Sequence, residues 1–269
     1  MNRLDKLKKI KQELDSMGSL MVAFSGGVDS SFLACLAYEV LRNKAIAVTF
    51  SSEITPGFEV QEAKKIAKEI GIKHKIIQTK ILHKENIKRN SPQRCYFCKK
   101  EIFSRLKQEA NQMSYKVVAC GENMDDKGSF RPGMKACREL GISTPLVKAG
   151  LTKDDIRELS RDRNLSTWNK PSLSCLATRI PYHTPLTAKE LSMIEESEDY
   201  IRGFGLRQLR VRHYGDTARI EVMPADMSVL IKKSTREKIV NKLRQLGYTY
   251  ITLDLKGYRT GSMDEKNKA

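Results

Sequence analysis

The sequence contains few aromatic residues, few histidines and no long apolar segment. Aromatic side chains make up 7% of the 269 residues, with one tryptophan, and there are four histidines. No apolar run approaches the roughly 20 residues that a membrane-spanning helix needs. The charged opening segment, 2–16, lacks the apolar centre of a secretory signal. These absences exclude a membrane-spanning chain and predict a cytoplasmic protein with no membrane partner.

Acidic residues are also in deficit. The chain carries 32 aspartates and glutamates against 49 lysines and arginines, which gives a formal net charge of +17. An excess of this sign favours anionic partners, such as nucleotides, phosphorylated metabolites or nucleic acid. Charge alone does not choose among these three classes.

Cysteine occurs at six positions, which a reducing compartment would keep as thiols. They are Cys35, Cys95, Cys98, Cys120, Cys137 and Cys175. In such a compartment the better uses of thiols are metal binding, redox chemistry or sulfur chemistry. Cys35, Cys120 and Cys137 lie in apolar or helical segments and are interpreted as small core residues.

Apolar strands alternate with amphipathic helices in the first part of the chain. Strands are predicted at 19–24, 45–50, 75–78 and 116–120, and helices at 2–16, 30–41 and 60–70. This alternation is typical of a parallel sheet that helices cover on both faces. Residues 1–170 are therefore predicted to form an α/β domain that contains Cys95 and Cys98.

The pattern changes after the proline-bearing segment 171–185. A helix is predicted at 187–203, a hairpin from 209–213 and 217–222, a helix at 227–246 and a strand at 248–255. The hairpin strands alternate apolar and polar residues, which is typical of an antiparallel pair with one apolar face. Residues 171–269 are therefore predicted to form a second, smaller α+β domain.

The segment 25–30, with the sequence Ser-Gly-Gly-Val-Asp-Ser, joins the first strand to the next helix. Consecutive glycines let backbone amides crowd an anion, and the positive end of the helix dipole points at it. The segment lacks the Gly-Lys-Ser/Thr ending of the Walker loop, which disfavours simple γ-phosphate transfer. It resembles the phosphate loop (PP-loop) of the ATP pyrophosphatase superfamily, whose members split ATP between the α and β phosphates.

That resemblance implies a PP-loop ATP pyrophosphatase domain and a set of ATP contacts. The expected contacts are Ser25, Gly26, Gly27, Val28, Asp29 and Ser30. Asp29 is also a candidate ligand for Mg²⁺, which would neutralise phosphate charge. Phe50 and Ser51 end the second strand, where ligands bind in open parallel sheets, and are expected to touch the adenosine.

Cys95 and Cys98 form a Cys-x-x-Cys pair, the spacing used for zinc and iron–sulfur ligation. A third thiol, Cys175, lies 77 positions further on. Three thiolates can hold a [4Fe-4S] cluster and leave one iron open for an exogenous sulfide. A zinc site would need a fourth ligand, and His74 and His83 are the candidates for it. The other alternative is a structural zinc half-site made by Cys95 and Cys98 alone.

Five further motifs resemble the LarE family, and with the phosphate loop they run from residue 21 to residue 262. They are 120–126 (Cys-Gly-Glu-Asn-Met-Asp-Asp), 131–133 (Arg-Pro-Gly), 170–171 with 175–177 (Lys-Pro and Cys-Leu-Ala), 209–213 (Leu-Arg-Val-Arg-His) and 257–262 (Gly-Tyr-Arg-Thr-Gly-Ser). The resemblance implies a homo-oligomeric, ATP-dependent sulfurtransferase of nickel-pincer nucleotide cofactor biosynthesis. Such enzymes adenylate a carboxylate of a pyridinium dicarboxylate mononucleotide and convert it to a thiocarboxylate.

Two branches of that family differ in the source of sulfur. In one branch a single cysteine, matching Cys175, gives up its own sulfur and becomes dehydroalanine. In the other, three cysteines hold a [4Fe-4S] cluster that delivers sulfide. This sequence has Cys95 and Cys98 as well as Cys175 and so resembles the cluster branch, since a cluster that accepts fresh sulfide can turn over. Sacrifice of Cys175 is the closest rival mechanism.

Arg210 and Arg212 are predicted to share one face of a hairpin strand, where two guanidinium groups can clasp a phosphate. The alternative is a solvated charged face. The LarE resemblance links both arginines to substrate phosphate. Glu221, on the neighbouring strand, is either their ion-pair partner or a metal contact, and Arg179, near Cys175, is expected to orient the acyl-adenylate.

Three other functions remain open at this point. A tRNA thiolase shares the phosphate loop and needs a basic surface, but no RNA-binding module is recognised, so nucleic acid is not the expected partner. A non-catalytic nucleotide-binding or iron–sulfur carrier would keep the loop without turnover. An NAD synthetase-type ligase has no use for three converging cysteines. The expected partners are a small nucleotide substrate and a sulfide source.

Overall fold

The computed structural model of the chain describes residues 2–128, 132–172, 174–206 and 208–259. Arg131 of the Arg-Pro-Gly motif and residues 260–262 of the last motif lie outside the described residues. The chain forms two compact units. Unit 1 is made of Met1–Ile81 and Gln93–Leu173, and unit 2 of Leu82–Pro92 and Ser174–Ala269.

Eleven α-helices lie in the described residues. In chain order they are α1 (Arg3–Ser16), α2 (Val28–Leu41), α3 (Gly57–Ile70), α4 (Glu85–Lys88), α5 (Arg94–Gln112), α6 (Pro132–Glu139), α7 (Pro145–Lys148), α8 (Lys153–Arg161), α9 (Ala188–Arg202), α10 (Met227–Ile231) and α11 (Lys233–Gln245). Helix α4 and helices α9 to α11 belong to unit 2, and the others belong to unit 1. Each helix in the described part of the chain is too short or too polar to cross a lipid bilayer.

Unit 1 contains a four-stranded sheet in which all strands are parallel. In spatial order the strands are β3 (Lys73–Gln78), β2 (Ala45–Ser51), β1 (Leu20–Ala23) and β4 (Val117–Cys120). The register pairs Ala23 with Val48 on one side and with Cys120 on the other. The carboxyl ends of β1, β2 and β4 therefore meet at one edge of the sheet. The predicted parallel α/β fold is confirmed.

Helices cover both faces of this sheet, so β1 is apolar at every position. Leu20 and Val22 lie in a core shared with α1, α2 and α8, whereas Met21 lies in a second core with Phe103 and Leu106 of α5. All five side chains are buried. Burial on both faces is the reason that the strand is a continuous apolar run rather than an alternating one.

Unit 2 contains a three-stranded sheet next to α9 and α11. In spatial order its strands are β5 (Leu209–Tyr214), β6 (Thr217–Val222) and β7 (Tyr250–Leu253). β5 and β6 form the predicted antiparallel hairpin, whereas β7 runs parallel to β6. The register sets Arg210 opposite Glu221 and Arg212 opposite Arg219. The charged residues of the hairpin are therefore neighbours across the two strands.

Two boundaries in unit 2 differ from the sequence prediction. The single helix predicted at 227–246 is divided into α10 and α11, because Lys232 takes an extended conformation with ψ 129° and interrupts the helical hydrogen bonds. The strand predicted at 248–255 begins at Tyr250. Tyr248 is instead buried, and its hydroxyl lies 3.1 Å from Nδ1 of His213. One backbone rotation and one tertiary contact thus override the local pattern.

Candidate active site

The loop 24–27 joins β1 to α2 and is held by hydroxyl contacts. Ser25 Oγ lies 3.0 Å from Ser30 Oγ, and the Gly27 amide donates to Ser25 Oγ at 3.3 Å. Gly27 caps α2 without a side-chain hydrogen bond to the first turn. The amides of that turn and the positive end of the helix dipole therefore form a receptor for an anion.

Two close backbone approaches around this loop require glycine. Gly26 has φ +67°, and a Cβ there would lie 3.0 Å from Ala63 Cα on α3. A Cβ on Gly121, directly after β4, would lie 2.8 Å from the amide nitrogen of Ser30. A larger side chain at either position would displace the loop or the start of α2. The loop therefore packs closely against α3, and the start of α2 packs closely against the end of β4.

Asp29 lies in the first turn of α2 and contacts two residues from distant segments. Lys153 Nζ on α8 lies 2.5 Å from Asp29 Oδ2, and Asn123 Nδ2 donates to Asp29 Oδ1 at 3.2 Å. The charge of the carboxylate is therefore already compensated. A metal cation that binds Asp29 would replace the Lys153 ammonium.

Lys170, the first residue of the Lys-Pro motif, contacts the loop directly. Its ammonium donates to the Gly26 carbonyl at 3.0 Å and pairs with Glu62 Oε2 of α3 at 2.6 Å. The Lys-Pro motif therefore connects the loop to α3.

A cavity of about 340 Å³ opens at the carboxyl edge of β1, β2 and β4. Ser25 and Gly27 of the loop line it, together with Asp29 and Ser30 of the first turn of α2. Its apolar lining includes Phe24, Phe50, Val60 and Ile102. The volume is within the roughly 300–1,000 Å³ of small-molecule sites, and the mixture of an apolar wall and an anion receptor suits a nucleotide.

Three of the residues predicted to contact ATP do not line this cavity, although all three belong to the part of the chain that the structure describes. Val28 is buried in the apolar core behind the loop. The carbonyl of Gly26 is turned to Lys170. Ser51 ends β2 beside Gln78 of β3. Their contacts with ATP stay predictions.

Charged residues from two other segments line the same cavity. Lys99 of α5, Glu122 and Asp126 are among its lining residues, and Lys99 Nζ lies 3.3 Å from Glu122 Oε1. Burial acts to lower the pKa of Lys99, but the negative charge of Glu122 and the hydrogen bond to it contribute to raising it above its usual value. Lys99 is therefore an ammonium at neutral pH and can attract phosphate oxygens.

Cys95 and Cys98 are the second and fifth residues of α5, three residues apart and so on one side of the helix. Cys95 is exposed and Cys98 is partly exposed. Tyr96, between them, donates its hydroxyl to Glu139 of α6 at 2.7 Å, which fixes the turn. Lys99 directly follows, so adjacent residues supply the thiol pair and a cation that lines the cavity.

Cys175 belongs to unit 2 and precedes a short 3₁₀ turn. Its carbonyl accepts hydrogen bonds from the Thr178 amide at 3.0 Å and from Arg179 Nη1 at 2.9 Å. The residue is partly exposed. These contacts fix the backbone of the turn. The convergence of Cys175 with the thiol pair of unit 1 stays a prediction.

Buried ion pairs hold this turn against the sheet of unit 2. Arg179 makes a bidentate pair with Glu198 of α9, at 2.8 and 2.9 Å. Arg212 pairs with Glu221 at 2.8 Å and donates to the Thr178 carbonyl at 2.9 Å. All four charged side chains are buried. Each pair supplies the partner that a buried charge needs, so removal of one member would leave the other uncompensated.

The charged face of the hairpin is buried rather than solvated. Arg210 is only 4% exposed, donates to the Leu209 carbonyl at 2.7 Å, and has its guanidinium 5.2 Å from the centre of the Tyr258 ring. Burial lowers the pKa of Arg210, and the nearby Arg179 lowers it further. The alternative that Arg210 and Arg212 lie on a solvated charged face of the hairpin is therefore wrong.

Buried positive charge exceeds buried negative charge around these strands. The buried arginines are Arg179, Arg210 and Arg212, and the buried glutamates are Glu198 and Glu221. Glu221 also pairs with the partly exposed Arg219 at 2.9 Å. An anion such as a phosphate group would balance the excess.

Sequence reasoning does not find Lys153, Lys99 or Glu198 as parts of these sites. The contact of Lys153 with Asp29 spans 124 positions, and no local pattern encodes it. Lys99 has one signal, its position directly after the predicted thiol pair. Glu198 lies in an ordinary amphipathic helix, where a glutamate is expected to face solvent.

The chain is similar to known proteins over part or all of its length. Residues 2–124 match the protein family described as NAD synthase. An uncharacterized protein of Synechocystis sp., slr1717, is 35% identical over 96% of this chain and 97% of that protein. Pyridinium-3,5-bisthiocarboxylic acid mononucleotide synthase of Lactiplantibacillus plantarum is 34% identical over 94% of this chain and 91% of that enzyme.

A more distant similarity covers a smaller part of the chain. The tRNA-specific 2-thiouridylase MnmA of Rickettsia felis is 26% identical over 58% of this chain and 53% of that enzyme. The similarity to the mononucleotide synthase therefore extends over nearly the whole chain, whereas the similarity to the thiouridylase is partial.

Proposed function

We propose that this chain, which belongs to the LarE family of ATP-dependent sulfurtransferases, adenylates a carboxylate of a pyridinium dicarboxylate mononucleotide and converts it to a thiocarboxylate in nickel-pincer nucleotide cofactor biosynthesis. The observation that carries the proposal is the anion receptor at the start of α2, which opens into a cavity of nucleotide size. The similarity to a pyridinium-3,5-bisthiocarboxylic acid mononucleotide synthase supports the choice of substrate.

The first half-reaction activates the carboxylate. A carboxylate oxygen attacks the α-phosphorus of ATP, the bond from that phosphorus to the bridging oxygen breaks, and pyrophosphate leaves. The amides at the start of α2 and the hydroxyls of Ser25 and Ser30 bind the departing pyrophosphate, whose charge grows as the bond breaks. No general base is required, because the attacking carboxylate is already anionic.

Asp29 would hold Mg²⁺ in this proposal. Its carboxylate lines the cavity and already pairs with the Lys153 ammonium, so the position suits a cation. Mg²⁺ prefers oxygen ligands, and when bound it would neutralise phosphate charge. Lys99, an ammonium in the lining of the same cavity, is a second countercharge for the phosphates.

The second half-reaction transfers sulfur. Sulfide attacks the carbonyl carbon of the acyl-adenylate, and the bond from that carbon to the oxygen of AMP breaks. Cys95, Cys98 and Cys175 would hold a [4Fe-4S] cluster, which when bound would supply the sulfide. The arrangement of Cys95 and Cys98 fits this role, because two thiols in one solvent-facing helical turn can bind the same group.

Arg210 and Arg212 are proposed to bind the phosphate of the mononucleotide. The excess of buried positive charge supports this role, because a phosphate would compensate it. Glu221 positions Arg212 through their ion pair. Arg179 contacts the Cys175 carbonyl and so orients the turn that carries this thiol.

Anaerobic purification with iron and sulfide analysis, followed by a turnover assay, tests the proposal. The assay contains ATP, the pyridinium dicarboxylate mononucleotide and sulfide. We expect about four irons per chain, pyrophosphate release that depends on the carboxylate substrate, and more than one thiocarboxylate formed per chain. Pyrophosphate release that does not depend on the carboxylate substrate, or an absence of thiocarboxylate, would contradict the proposal.

The cluster mechanism has its own test. Cys95→Ala should lose the iron and keep ATP binding, whereas Cys35→Ala should keep both. If the wild-type protein incorporates no iron and its intact mass shows dehydroalanine at position 175, the sacrificial mechanism replaces the cluster mechanism and the transferase function survives.

A tRNA thiolase is the second candidate. The net charge of +17 and the partial similarity to a tRNA-specific 2-thiouridylase favour it. Retained RNA with a steep salt dependence, together with thiolation of tRNA, would support the thiolase. Adenylation of the mononucleotide by RNA-free protein would count against it.

A division of roles between the two parts of the chain completes the proposal. Residues 1–170 bind ATP and carry Cys95 and Cys98, and residues 171–269 bind the substrate phosphate and assemble a homo-oligomer in the cytoplasm. Light scattering of the purified protein tests the assembly, and a monomeric mass would contradict it.

A further inference from the structure

Two further thiols and a carboxylate lie at the wall of the 340 Å³ cavity, called the nucleotide cavity below, and have no role in the proposed function. Cys120 ends β4, Glu122 follows two residues later, and Cys137 lies on α6. Cys120 Sγ and Cys137 Sγ are 4.0 Å apart, and Cys137 Sγ donates to Glu122 Oε1 at 3.0 Å. The three ligand atoms lie within 4.8 Å of one another. The exposed fractions of the three residues are 6%, 8% and 1% in chain order.

Backbone contacts hold this group in place. The Cys120 amide donates to the Ser143 carbonyl at 3.0 Å, and the Ser143 amide donates to the Val118 carbonyl at 2.9 Å, which anchors the segment after α6 to β4. Gly121 packs against the start of α2, where an added Cβ would lie 2.8 Å from the Ser30 amide nitrogen. The Ile142 amide donates to the Cys137 carbonyl at 2.9 Å, and Lys99 and Cys137 both donate to Glu122 Oε1. These hydrogen bonds hold the three residues in place.

The distances and the donor types match zinc. A Zn–S bond of about 2.3 Å and tetrahedral geometry set two thiolates on one Zn²⁺ roughly 3.8 Å apart. The observed Sγ to Sγ distance of 4.0 Å is close to this value. Two thiolates and a carboxylate suit a borderline-soft cation such as Zn²⁺, whereas Mg²⁺ and Ca²⁺ take oxygen ligands.

The local charges also suit a divalent cation. Binding of Zn²⁺ releases the two thiol protons to solvent. The resulting two thiolates and the Glu122 carboxylate carry three negative charges, of which Zn²⁺ neutralises two. The Lys99 ammonium, 3.3 Å from Glu122 Oε1, neutralises the third. The occupied site would thus be neutral, which avoids the cost of burying a net charge.

We propose that Cys120, Glu122 and Cys137 bind one Zn²⁺ ion with its fourth coordination position open to the nucleotide cavity. Cys120 and Glu122 line that cavity, so a water molecule or a phosphate oxygen can reach an ion bound there. Three protein ligands and one open position are typical of catalytic rather than structural zinc. The site uses none of the three thiols assigned to the iron–sulfur cluster and does not depend on the proposed function.

Zinc titration in a background without the other candidate thiols tests this site. The parent variant carries Cys95→Ser, Cys98→Ser and Cys175→Ser, which removes the predicted cluster ligands. We expect it to bind one Zn²⁺ per chain in competition with a chromophoric chelator. Addition of Cys137→Ser should weaken binding at least about 10-fold, since loss of a ligand costs no less than loss of its outer-shell partner. Addition of Cys35→Ser, a thiol outside the group, should leave binding unchanged.

Two outcomes would overturn the inference. One is a parent variant that binds no stoichiometric zinc, and the other is equal zinc affinity in the Cys137→Ser and Cys35→Ser variants. Circular dichroism and thermal unfolding check that each variant folds, and Glu122→Gln replaces Cys137→Ser if the latter does not. Cobalt(II) substitution adds a direct readout, because thiolate-to-metal charge-transfer absorption must appear in the parent and weaken in the Cys137→Ser variant. No ATP or mononucleotide is present, so the result is independent of sulfur transfer.

Discussion

Asp29 combines three properties in a single carboxylate: it belongs to the phosphate loop, it lines the cavity, and it pairs with a distant lysine. A carboxylate at a helix N-terminus competes with a bound phosphate for the positive end of the helix dipole. The Lys153 ammonium offsets that competition at a distance of 2.5 Å. At the scale of the residue, Asp29 therefore supplies a carboxylate that can bind a cation, and Lys153 balances the charge of this carboxylate when no metal ion is bound.

Asp29→Ala should lower the rate of pyrophosphate release at least about 100-fold, because it removes the proposed Mg²⁺ ligand and leaves the phosphate charge less neutralised. Iron content should not change, since Asp29 is not a predicted cluster ligand. Steady-state pyrophosphate release and iron analysis measure the two effects. Asp15→Ala, at an exposed position of α1, is the matched control and should keep the wild-type rate. A wild-type rate in Asp29→Ala would exclude the proposed role.

Glu221→Gln should lower the free energy of unfolding by about 3 kcal/mol, because it removes the partner charge of the buried Arg212 and of Arg219. Urea denaturation followed by circular dichroism measures the change. Glu237→Gln, at an exposed position of α11, is the control and should stay within about 0.5 kcal/mol of wild type. Equal stability of the two variants would show that the buried pair does not contribute.

At the scale of the element, α8 shows how one helix start serves both local and tertiary structure. Thr152 caps the helix, and its reciprocal hydrogen bonds with Asp155 form a capping box. Asp155 Oδ2 also accepts from Lys6 of α1 at 2.6 Å. The same carboxylate therefore begins α8 and fastens it to α1. Because Lys153 is the first residue of α8, this start also positions the partner of Asp29.

The stability of unit 1 should depend on pH through Asp155. Burial acts to raise the pKa of this carboxyl, but hydrogen bonds from Lys6 and Thr152 lower it from 3.8 to about 2. A pKa that is lower in the folded state stabilises the fold above the unfolded value, and the contribution disappears as the pH falls through the folded value. The urea midpoint of the wild type should therefore fall as the pH decreases from about 4 to about 2.

Asp155→Asn should have a lower urea midpoint than the wild type at neutral pH and should lose less of it across that acidic interval. Asp162→Asn, at an exposed position just after α8, should follow the wild-type curve. Identical pH profiles for Asp155→Asn and the wild type would show that this carboxylate does not connect the two helices.

At the scale of the whole molecule, the net charge of +17 acts on anionic substrates before they reach the site. Both ATP and the proposed mononucleotide are anions, so the field of the protein should raise their rate of association. Salt screens exposed charges beyond a Debye length, which is about 8 Å at 0.15 M ionic strength. The increase in the association rate therefore depends on the overall charge of the protein and not on any single arginine or lysine.

The value of kcat/KM should fall several-fold as KCl rises from about 0.02 M to about 0.3 M, whereas kcat should change little. Steady-state kinetics at each salt concentration measures both quantities. Sucrose at matched osmolarity is the control and should leave kcat/KM unchanged. A value of kcat/KM that is independent of salt would show that long-range attraction does not contribute to substrate capture.

The sequence by itself determined the local elements and the motif that they carry. The apolar run 19–24, the two glycines after Ser25 and the buried helix predicted at 30–41, which the structure begins at Val28, are readable because backbone freedom at glycine and burial of an apolar run are properties of neighbouring residues. The division of the helix at Lys232 was not readable, since one backbone rotation there leaves the helical period of the flanking segments unchanged.

Only the tertiary structure decided which charges and thiols meet. It pairs Lys153 with Asp29 across 124 positions, buries Arg212 with Glu221 where alternation alone also allowed a solvated face, and sets Cys137 4.0 Å from Cys120. The physical reason is that the partner and the burial of a side chain depend on how segments far apart in the chain pack together. A local period records only which face of one element is apolar.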